Sequence, residues 1–130
     1  MTIKEIYNLY SEYYLVDTDT RNIRKNSIFF ALKGENFNGN KYAKEAIKKG
    51  ASYAIVDEEE YKTTESIILV DNVLKCLQEL AAYHREVLNV PILALTGSNG
   101  KTTTKELINA VLSRKFNIVA TQGNLNNHIG

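Results

Sequence analysis

The chain has 130 residues, of which 44% are hydrophobic and 24% are charged, and its formal net charge is +1 at pH 7. This balance is typical of a globular protein and excludes the disordered and membrane-protein classes. A net charge so close to zero gives no overall attraction to nucleic acid or to an anionic membrane, so any anion-binding site must be local. The overall charge itself says nothing about partners, among which we expect neither nucleic acid nor membrane.

The single cysteine, Cys76, cannot form an internal disulfide, which fits a reducing compartment. Its apolar stripe of helical spacing reaches His84, and we interpret both residues as packing residues rather than as a nucleophile or a ligand. Lys4 and Glu5 interrupt the first apolar segment, so it lacks the uninterrupted core of a signal peptide, and no segment reaches the roughly 18 apolar residues that span a bilayer. We expect a cytoplasmic protein.

The first half of the chain predicts helices and strands in alternation. Apolar and tyrosine side chains recur with helical spacing over residues 3–14, which predicts a helix whose tyrosines build core rather than a base-stacking platform. A short apolar run at 27–32 predicts a strand, and "GENFNGN" at 34–40 predicts a loop. A helix at 41–49 then ends at Gly50.

The alternation continues with strands at 52–57 and 66–71, separated by a polar loop whose glutamate run is interpreted as solvated, and with the helix around Cys76. A further strand begins at Pro91. It is followed by a glycine turn, a helix over residues 102–115 and the strand "NIVAT", which together predict a βαβ unit with parallel strands.

Such a unit cannot form a domain alone, because a parallel sheet must be covered on both faces by several crossovers. The sequence therefore predicts the α/β class. Residues 1–85 are expected to form a small N-terminal α/β domain, and residues 86–130 the beginning of a P-loop βαβ domain with a parallel sheet.

The glycine turn "TGSNGKTTT" carries the chemistry. Glycines let the backbone curl so that successive N–H groups face one concavity, and the helix that follows adds its positive N-terminal end. Lys101 can then reach the β and γ phosphates of a nucleoside triphosphate, while the Thr102 hydroxyl can bind Mg²⁺. The expected residues that bind ATP are Gly97, Ser98, Asn99, Gly100, Lys101, Thr102 and Thr103.

The full P-loop pattern places a glycine where this chain has Leu95, so the match is to the shorter form GxxGK[ST]. The alternative is a glycine turn with an incidental lysine. The apolar strand pattern before the turn and the helical pattern after it favour phosphate binding.

The segments "LTGSNGKTTTKELI" and "ATQGNLNNHIG" resemble the start of the ATP-binding central domain of the Mur ligases, the amide-forming enzymes of peptidoglycan precursor synthesis. Upstream, "DTRNIRKNSIFFALKGENFNGNKYAKEAIKKGASYAIVD" resembles their N-terminal domain, which holds the UDP end of the substrate. The resemblance runs from about Asp19 to Gly130. Within the family, "GNLNNHIG" most resembles the type that adds D-alanyl-D-alanine.

This resemblance implies a reaction and a set of roles. The carboxylate of UDP-N-acetylmuramoyl-tripeptide would attack the γ-phosphate of ATP, and the amine of D-Ala-D-Ala would then attack the resulting acyl phosphate. Lys101 would be the catalytic residue that stabilises charge on the phosphoryl group, and Thr102 would be the Mg²⁺ ligand. Asn126 and Asn127 would lie beside phosphates and substrate, although an asparagine-rich turn is the alternative.

The resemblance also implies a uridine diphosphate pocket in the first domain. Arg21 and Lys33 suit a pyrophosphate by charge, and Thr20 and Asn40 by hydrogen bonding. Without the resemblance, a turn and a solvent loop would be the simpler interpretation. The relatives continue well beyond Gly130, so we expect an inactive N-terminal piece of a longer ligase. The alternatives are a piece of another Mur-type amide ligase, or a non-catalytic nucleotide-binding module.

Overall fold

The structure is a computed structural model that describes residues 1–122. It divides into two compact units, of which the first is Met1–Asn89 and the second begins at Val90. The boundary predicted after residue 85 falls inside a helix, Val73–Leu88, which ends where Asn89 takes the left-handed conformation with φ 46°. The first unit confirms the α/β class with a parallel sheet.

The first unit contains three helices and six short strands. The helices are α1 (Ile3–Tyr10), α2 (Ala43–Lys49) and α3 (Val73–Leu88). The strands are β1 (Val16–Asp17), β2 (Ile28–Phe30), β3 (Lys33–Gly34), β4 (Phe37–Asn38), β5 (Tyr53–Val56) and β6 (Ile67–Leu69). Three 3₁₀ turns lie at Thr20–Asn22, Gly39–Tyr42 and Glu59–Tyr61.

Four of these strands form one parallel sheet in the order β1-β2-β5-β6. Successive side chains of a strand point to opposite faces, so the apolar runs of β2 and β5 serve two cores. Phe30 and Ile55 pack in a cluster with α1 and α3, whereas Phe29 and Ala54 pack in a cluster with α2. The sheet is therefore the middle of three layers.

Helix α1 is shorter than its sequence pattern predicts. Thr2 and Glu5 form a reciprocal capping box at its start, which satisfies N–H groups of the first turn. The helix ends at Tyr10 rather than at residue 14, because the chain turns back and Tyr14 takes a left-handed φ of 55°. This turn leads into β1, a strand that the sequence analysis did not predict.

The strands predicted at 27–32, 52–57 and 66–71 are confirmed in position, and Gly50 ends α2 with φ 115° as expected. The predicted loop at 34–40 contains more structure than expected. In it β3 and β4 pair as a two-stranded antiparallel hairpin, and a 3₁₀ turn leads on to α2.

The second unit contains helix α4 (Lys101–Leu112), close to the predicted range. The strands predicted from Pro91 and at "NIVAT" are not formed within residues 90–122. A strand is stabilised by ladder hydrogen bonds to a neighbour, and the described part of the chain offers these segments no such neighbour. Among residues 1–122, no helix has both the length and the apolar character needed to cross a membrane.

Candidate functional site

The glycine turn of the second unit forms as its sequence predicts. Gly97 has φ 148° and Gly100 has φ 75°, values that side chains with a Cβ rarely adopt. Gly100 is also the N-cap of α4 and contributes no side-chain capping bond. The backbone N–H groups of the first turn of a helix have no partner within the helix, so this end of α4 is suited to an anion.

Lys101 is the first residue of α4, and its ammonium group turns back across the loop to donate to the Gly97 carbonyl oxygen. Thr102 and Thr103 follow in the same exposed first turn. The loop therefore gathers a cation and two hydroxyls beside the curled backbone of residues 97–100. Such a set of donors can bind phosphate oxygens.

Lys105 belongs to the same helix and was not singled out from the sequence. Its ammonium donates to the Thr121 carbonyl oxygen and pairs with Glu106 at 2.9 Å. Only 17% of the Lys105 side chain is exposed, so it holds the segment after α4 against the helix. In the sequence, a lysine in the second turn of a helix looks like an ordinary surface charge, so nothing there indicated that Lys105 forms this tether.

Among residues 1–122, no group of three or more His, Cys, Asp or Glu side chains could hold a metal ion. Magnesium keeps several water ligands and often takes only one or two protein oxygens together with substrate phosphates. The Thr102 hydroxyl, an oxygen donor on an exposed turn, fits that limited contribution. Asn126 and Asn127, the other residues predicted near the phosphates, lie outside the described residues.

In the first unit, Thr20 and Arg21 lie in a 3₁₀ turn that Asp19 caps. The Asp19 carboxylate accepts the Arg21 N–H at 2.9 Å and pairs with its guanidinium at 2.6 Å. These hydrogen bonds lower the pKa of Asp19 to about 2. Lys49, in the last turn of α2, donates to the Thr20 carbonyl at 2.8 Å. The Arg21 side chain is 85% exposed, so it can reach a ligand in solvent.

Asn40 occupies the opposite end of α2, in the 3₁₀ turn before its first residue, and is fully buried. Its amide nitrogen donates to Asn38 at 2.9 Å and to Asp57 at 3.0 Å, and its oxygen accepts the Asp57 N–H at 2.9 Å. A ligand could reach this side chain only by displacing those bonds. The structure therefore assigns Asn40 to holding Asn38 and Asp57 in position. The sequence analysis predicted a direct contact with substrate instead.

Lys33 lies where β2 leads into the hairpin, and its ammonium meets two carboxylates. It pairs with Asp57 at 2.9 Å and with Glu58 at 3.4 Å. Burial raises the pKa of Asp57, but hydrogen bonds from Lys33, Asn40 and the Val73 N–H outweigh it, so the net pKa is lowered. The pKa of Lys33 is raised, chiefly by its hydrogen bond to Asp57.

The structure thus joins Lys33 and Asn40 through Asp57, whereas the carbonyl of Thr20, the neighbour of Arg21, contacts the other end of α2. Two further residues of the network, Asp57 and Glu58, were missed. Glu58 was assigned to a solvated loop, but its carboxylate also accepts from Asn38 at 3.0 Å. A signal was present, because both acids directly follow β5 and polar side chains at the carboxyl ends of parallel strands gather at one edge.

The packing roles predicted for Cys76 and His84 are confirmed. Cys76 is 6% exposed, and burial raises the pKa of its thiol to about 11, which leaves it a poor nucleophile. The Nδ1 atom of His84 lies 3.3 Å from the Tyr7 hydroxyl, and its ring contacts Tyr10 and Tyr14.

Both units match models of known protein families. The model of the Mur ligase family catalytic domain matches residues 12–91, and that of the Mur ligase middle domain matches residues 95–130. The UDP-N-acetylmuramoyl-tripeptide–D-alanyl-D-alanine ligase of Bacillus subtilis is 41% identical over 117 residues, which is 88% of this chain and 26% of that protein. The ligase of the same name from Synechocystis is 43% identical over 115 residues, 87% of this chain and 25% of that protein.

Solved structures agree. MurF from Acinetobacter baumannii superposes with a TM-score of 0.78 at 37% identity, over 88% of this chain and 25% of that one. MurF ligase from Thermotoga maritima, solved in complex with ADP, gives 0.77 at 30% identity, over 86% of this chain and 26% of that one. The chain spans about a quarter of the length of these relatives. The chain belongs to the Mur ligase family, because the catalytic-domain model of that family matches more than half of the residues of this chain.

Proposed function

We propose that this chain is the N-terminal part of an ATP-dependent ligase of peptidoglycan precursor synthesis, which joins D-alanyl-D-alanine to UDP-N-acetylmuramoyl-tripeptide. The observation that carries the proposal is the glycine turn that places Lys101 at the first residue of α4, in a chain whose relatives at 41% and 43% identity bear the name of that activity. ATP and UDP-linked sugars are intracellular metabolites, so we place the protein in the cytoplasm.

For ATP, we assign the phosphates to the turn of the second unit. The backbone of residues 97–100 orients them, and Lys101 exchanges its contact with the Gly97 carbonyl for phosphate oxygens. The ADP complex of the Thermotoga maritima relative supports an adenine nucleotide. The Thr102 hydroxyl would hold Mg²⁺, which when bound supplies neutralisation of phosphate charge.

For the UDP-sugar, we assign the diphosphate to the polar loops of the first unit. Arg21, with its exposed guanidinium, and Lys33, 44% exposed, supply positive charge, and Thr20 supplies a hydroxyl. Asn40 fixes the loop that carries Lys33. The Asp19 cap holds the turn of Thr20 and Arg21, and the Asn40 network holds the loop of Lys33, so the backbone of each loop is ordered before ligand arrives, which reduces the ordering cost of binding.

The proposed reaction depends on positioning and on charge neutralisation. The substrate carboxylate attacks the γ-phosphate, ADP leaves, and the amine of D-Ala-D-Ala displaces phosphate from the acyl phosphate. Lys101 would counter the negative charge on the transferring phosphoryl group, and Asn126 and Asn127 would offer neutral hydrogen bonds beside it.

Separate titrations of this chain with ADP and with UDP test the assignment of the two units. In ¹⁵N spectra, ADP should shift amides within residues 97–103, and UDP should shift amides near Thr20 and Arg21. Lys101→Ala should abolish the response to ADP, whereas the control Lys115→Ala, a change of an exposed lysine just beyond α4, should preserve it. If UDP shifts only residues 97–103, the uridine site is not in the first unit.

Turnover provides a second test. Because the chain spans about a quarter of its relatives, we expect no phosphate release that depends on both substrates from these 130 residues alone. In a ligase of the relatives' full length, Lys101→Ala should remove activity. A rate within tenfold of the parent, about 1.4 kcal/mol of barrier, would remove Lys101 from its assigned role.

A further inference from the structure

Lys33 is neutralised before any ligand arrives, and this bears on how it could bind a diphosphate. Its ammonium lies between the carboxylates of Asp57 and Glu58, so the three side chains carry a net charge of −1. An incoming anion meets a lysine whose charge is already balanced, beside a surplus negative charge. The ammonium has three N–H donors, but a phosphate that binds it beside both carboxylates is repelled by them unless one moves away.

Asp57 is the fixed partner of the two. Its side chain is 6% exposed and lies 2.9 Å from the Lys33 ammonium. One of its oxygens also accepts from Asn40 at 3.0 Å, and the other accepts the Val73 N–H at the start of α3 at 3.2 Å. Moving this carboxylate would leave buried donors without partners, and each such group then bears its full desolvation cost.

Glu58 is the weaker partner. Its side chain is 31% exposed, and its oxygen lies 3.4 Å from the ammonium, beyond the usual hydrogen-bond length. The Asn38 amide donates to both of its oxygens, at 3.0 and 3.2 Å, and a turned carboxylate can keep the shorter of these bonds. Because Lys33 is itself 44% exposed, an anion from solvent can approach on the side of Glu58.

We propose that Glu58 is the exchangeable counter-ion of Lys33 and that Asp57 is the fixed one. The diphosphate of a UDP-sugar replaces Glu58 at the ammonium, while Asp57 keeps Lys33 in position. This inference rests on the proposed function of the first unit. Both acids are then positioning residues. The Glu58 carboxylate competes with any incoming anion for the Lys33 ammonium, so only an anion that displaces it can bind there.

The gain in affinity on removing the Glu58 charge tests the exchange. Glu58→Gln keeps the size of the side chain and an oxygen for Asn38 but removes the competing charge. A unit charge about 6 Å from a phosphate in water is equivalent to about threefold in affinity, so the Kd for UDP should fall by about that factor. Binding of uridine, which has no phosphate, should not change. The matched control is Glu59→Gln, an exposed neighbour whose change should affect neither ligand.

A loss of loop structure would weaken the binding of both ligands, so a selective gain for UDP separates exchange from a structural role. On a Lys33→Met background the gain should vanish, and the uridine comparison stands even if that variant folds poorly. Unchanged or weaker UDP binding by Glu58→Gln overturns the inference, as does a gain that persists without Lys33. If the unsubstituted chain binds no UDP, the proposed function of the first unit fails, and the inference fails with it.

Discussion

The two units differ in what holds their elements in place. In the first, Phe29 and Phe30 of the central strand β2 are fully buried between helices. In the described part of the second, helix α4 has no buried residue, and Leu107 and Val111 are 63% and 67% exposed. A helix satisfies its backbone hydrogen bonds within its own segment, whereas a strand requires hydrogen-bonded neighbours.

The largest expected effect comes from a comparison in which one apolar side chain of each unit is shortened to alanine. Phe30→Ala should lower the free energy of unfolding of the first unit by about 3–5 kcal/mol, because it leaves a cavity between β2 and the α1–α3 layer. Leu107→Ala removes an exposed side chain and should change stability by less than about 0.5 kcal/mol. All eight tyrosines lie before residue 85, so near-ultraviolet circular dichroism in urea measures the loss in the first unit. Far-ultraviolet circular dichroism, which also reports the helix content of α4, measures Leu107→Ala.

Equal losses from the two substitutions would contradict the comparison, since they would mean that Leu107 is covered in solution. Ile108→Ala on the same helix provides a second measurement. A loss there similar to that of Phe30→Ala would show that α4 packs on a core outside the described contacts.

A buried polar group gives the next largest effect. Asn40→Ala removes three hydrogen bonds of a fully buried side chain and leaves the Asp57 N–H without its acceptor, so stability should fall by about 2–3 kcal/mol. Asn36→Ala, in the exposed turn of the preceding β3–β4 hairpin, is the matched control and should cost little. Chemical denaturation of both variants measures the difference. Similar midpoints would show that the Asn40 network contributes no stability.

Much of this organisation could be predicted from local pattern. The apolar runs of β2 and β5, Gly50 at the end of α2, and the glycines of the turn all signal structure through the conformations that their residue types favour. The resemblance to the family also indicated which loops to examine. These signals need only a few neighbouring residues, so one sequence is enough to detect them.

What could not be predicted depends on long-range partners. Strand β1 has only two residues and exists because it pairs with β2, and the strand expected from Pro91 lacks a neighbour in the described chain. Likewise Lys33 and Asn40 were chosen for charge and hydrogen bonding, but Asp57, far along the chain, determines what each side chain can do. Spacing in the sequence gives no measure of such contacts.

A smaller effect should appear at acid pH. The folded-state pKa of Asp57 lies below its ordinary value of 3.8, so its carboxylate contributes stability above that value, and the contribution is lost as pH falls through the folded pKa. Asp57→Asn should therefore lower stability by about 1–2 kcal/mol at pH 7 and by progressively less below pH 4. Urea midpoints measured from neutral to acid pH test this. A constant difference between the two proteins at all pH values would exclude Asp57 as a source of the acid dependence.

The smallest expected effect concerns the tether between the turn at Thr20–Asn22 and α2. Lys49 pairs with Glu45 at 2.6 Å and donates to the Thr20 carbonyl at 2.8 Å, but its side chain is 43% exposed. Lys49→Met keeps the apolar stem, so the free energy of unfolding should change by less than about 0.5 kcal/mol, as for other exposed pairs. The amides of the Thr20 turn should nevertheless shift, and their response to UDP should weaken. Lys48→Met, its exposed neighbour, should change neither measurement, and an unaltered Thr20 turn in Lys49→Met would show that the tether does not position it.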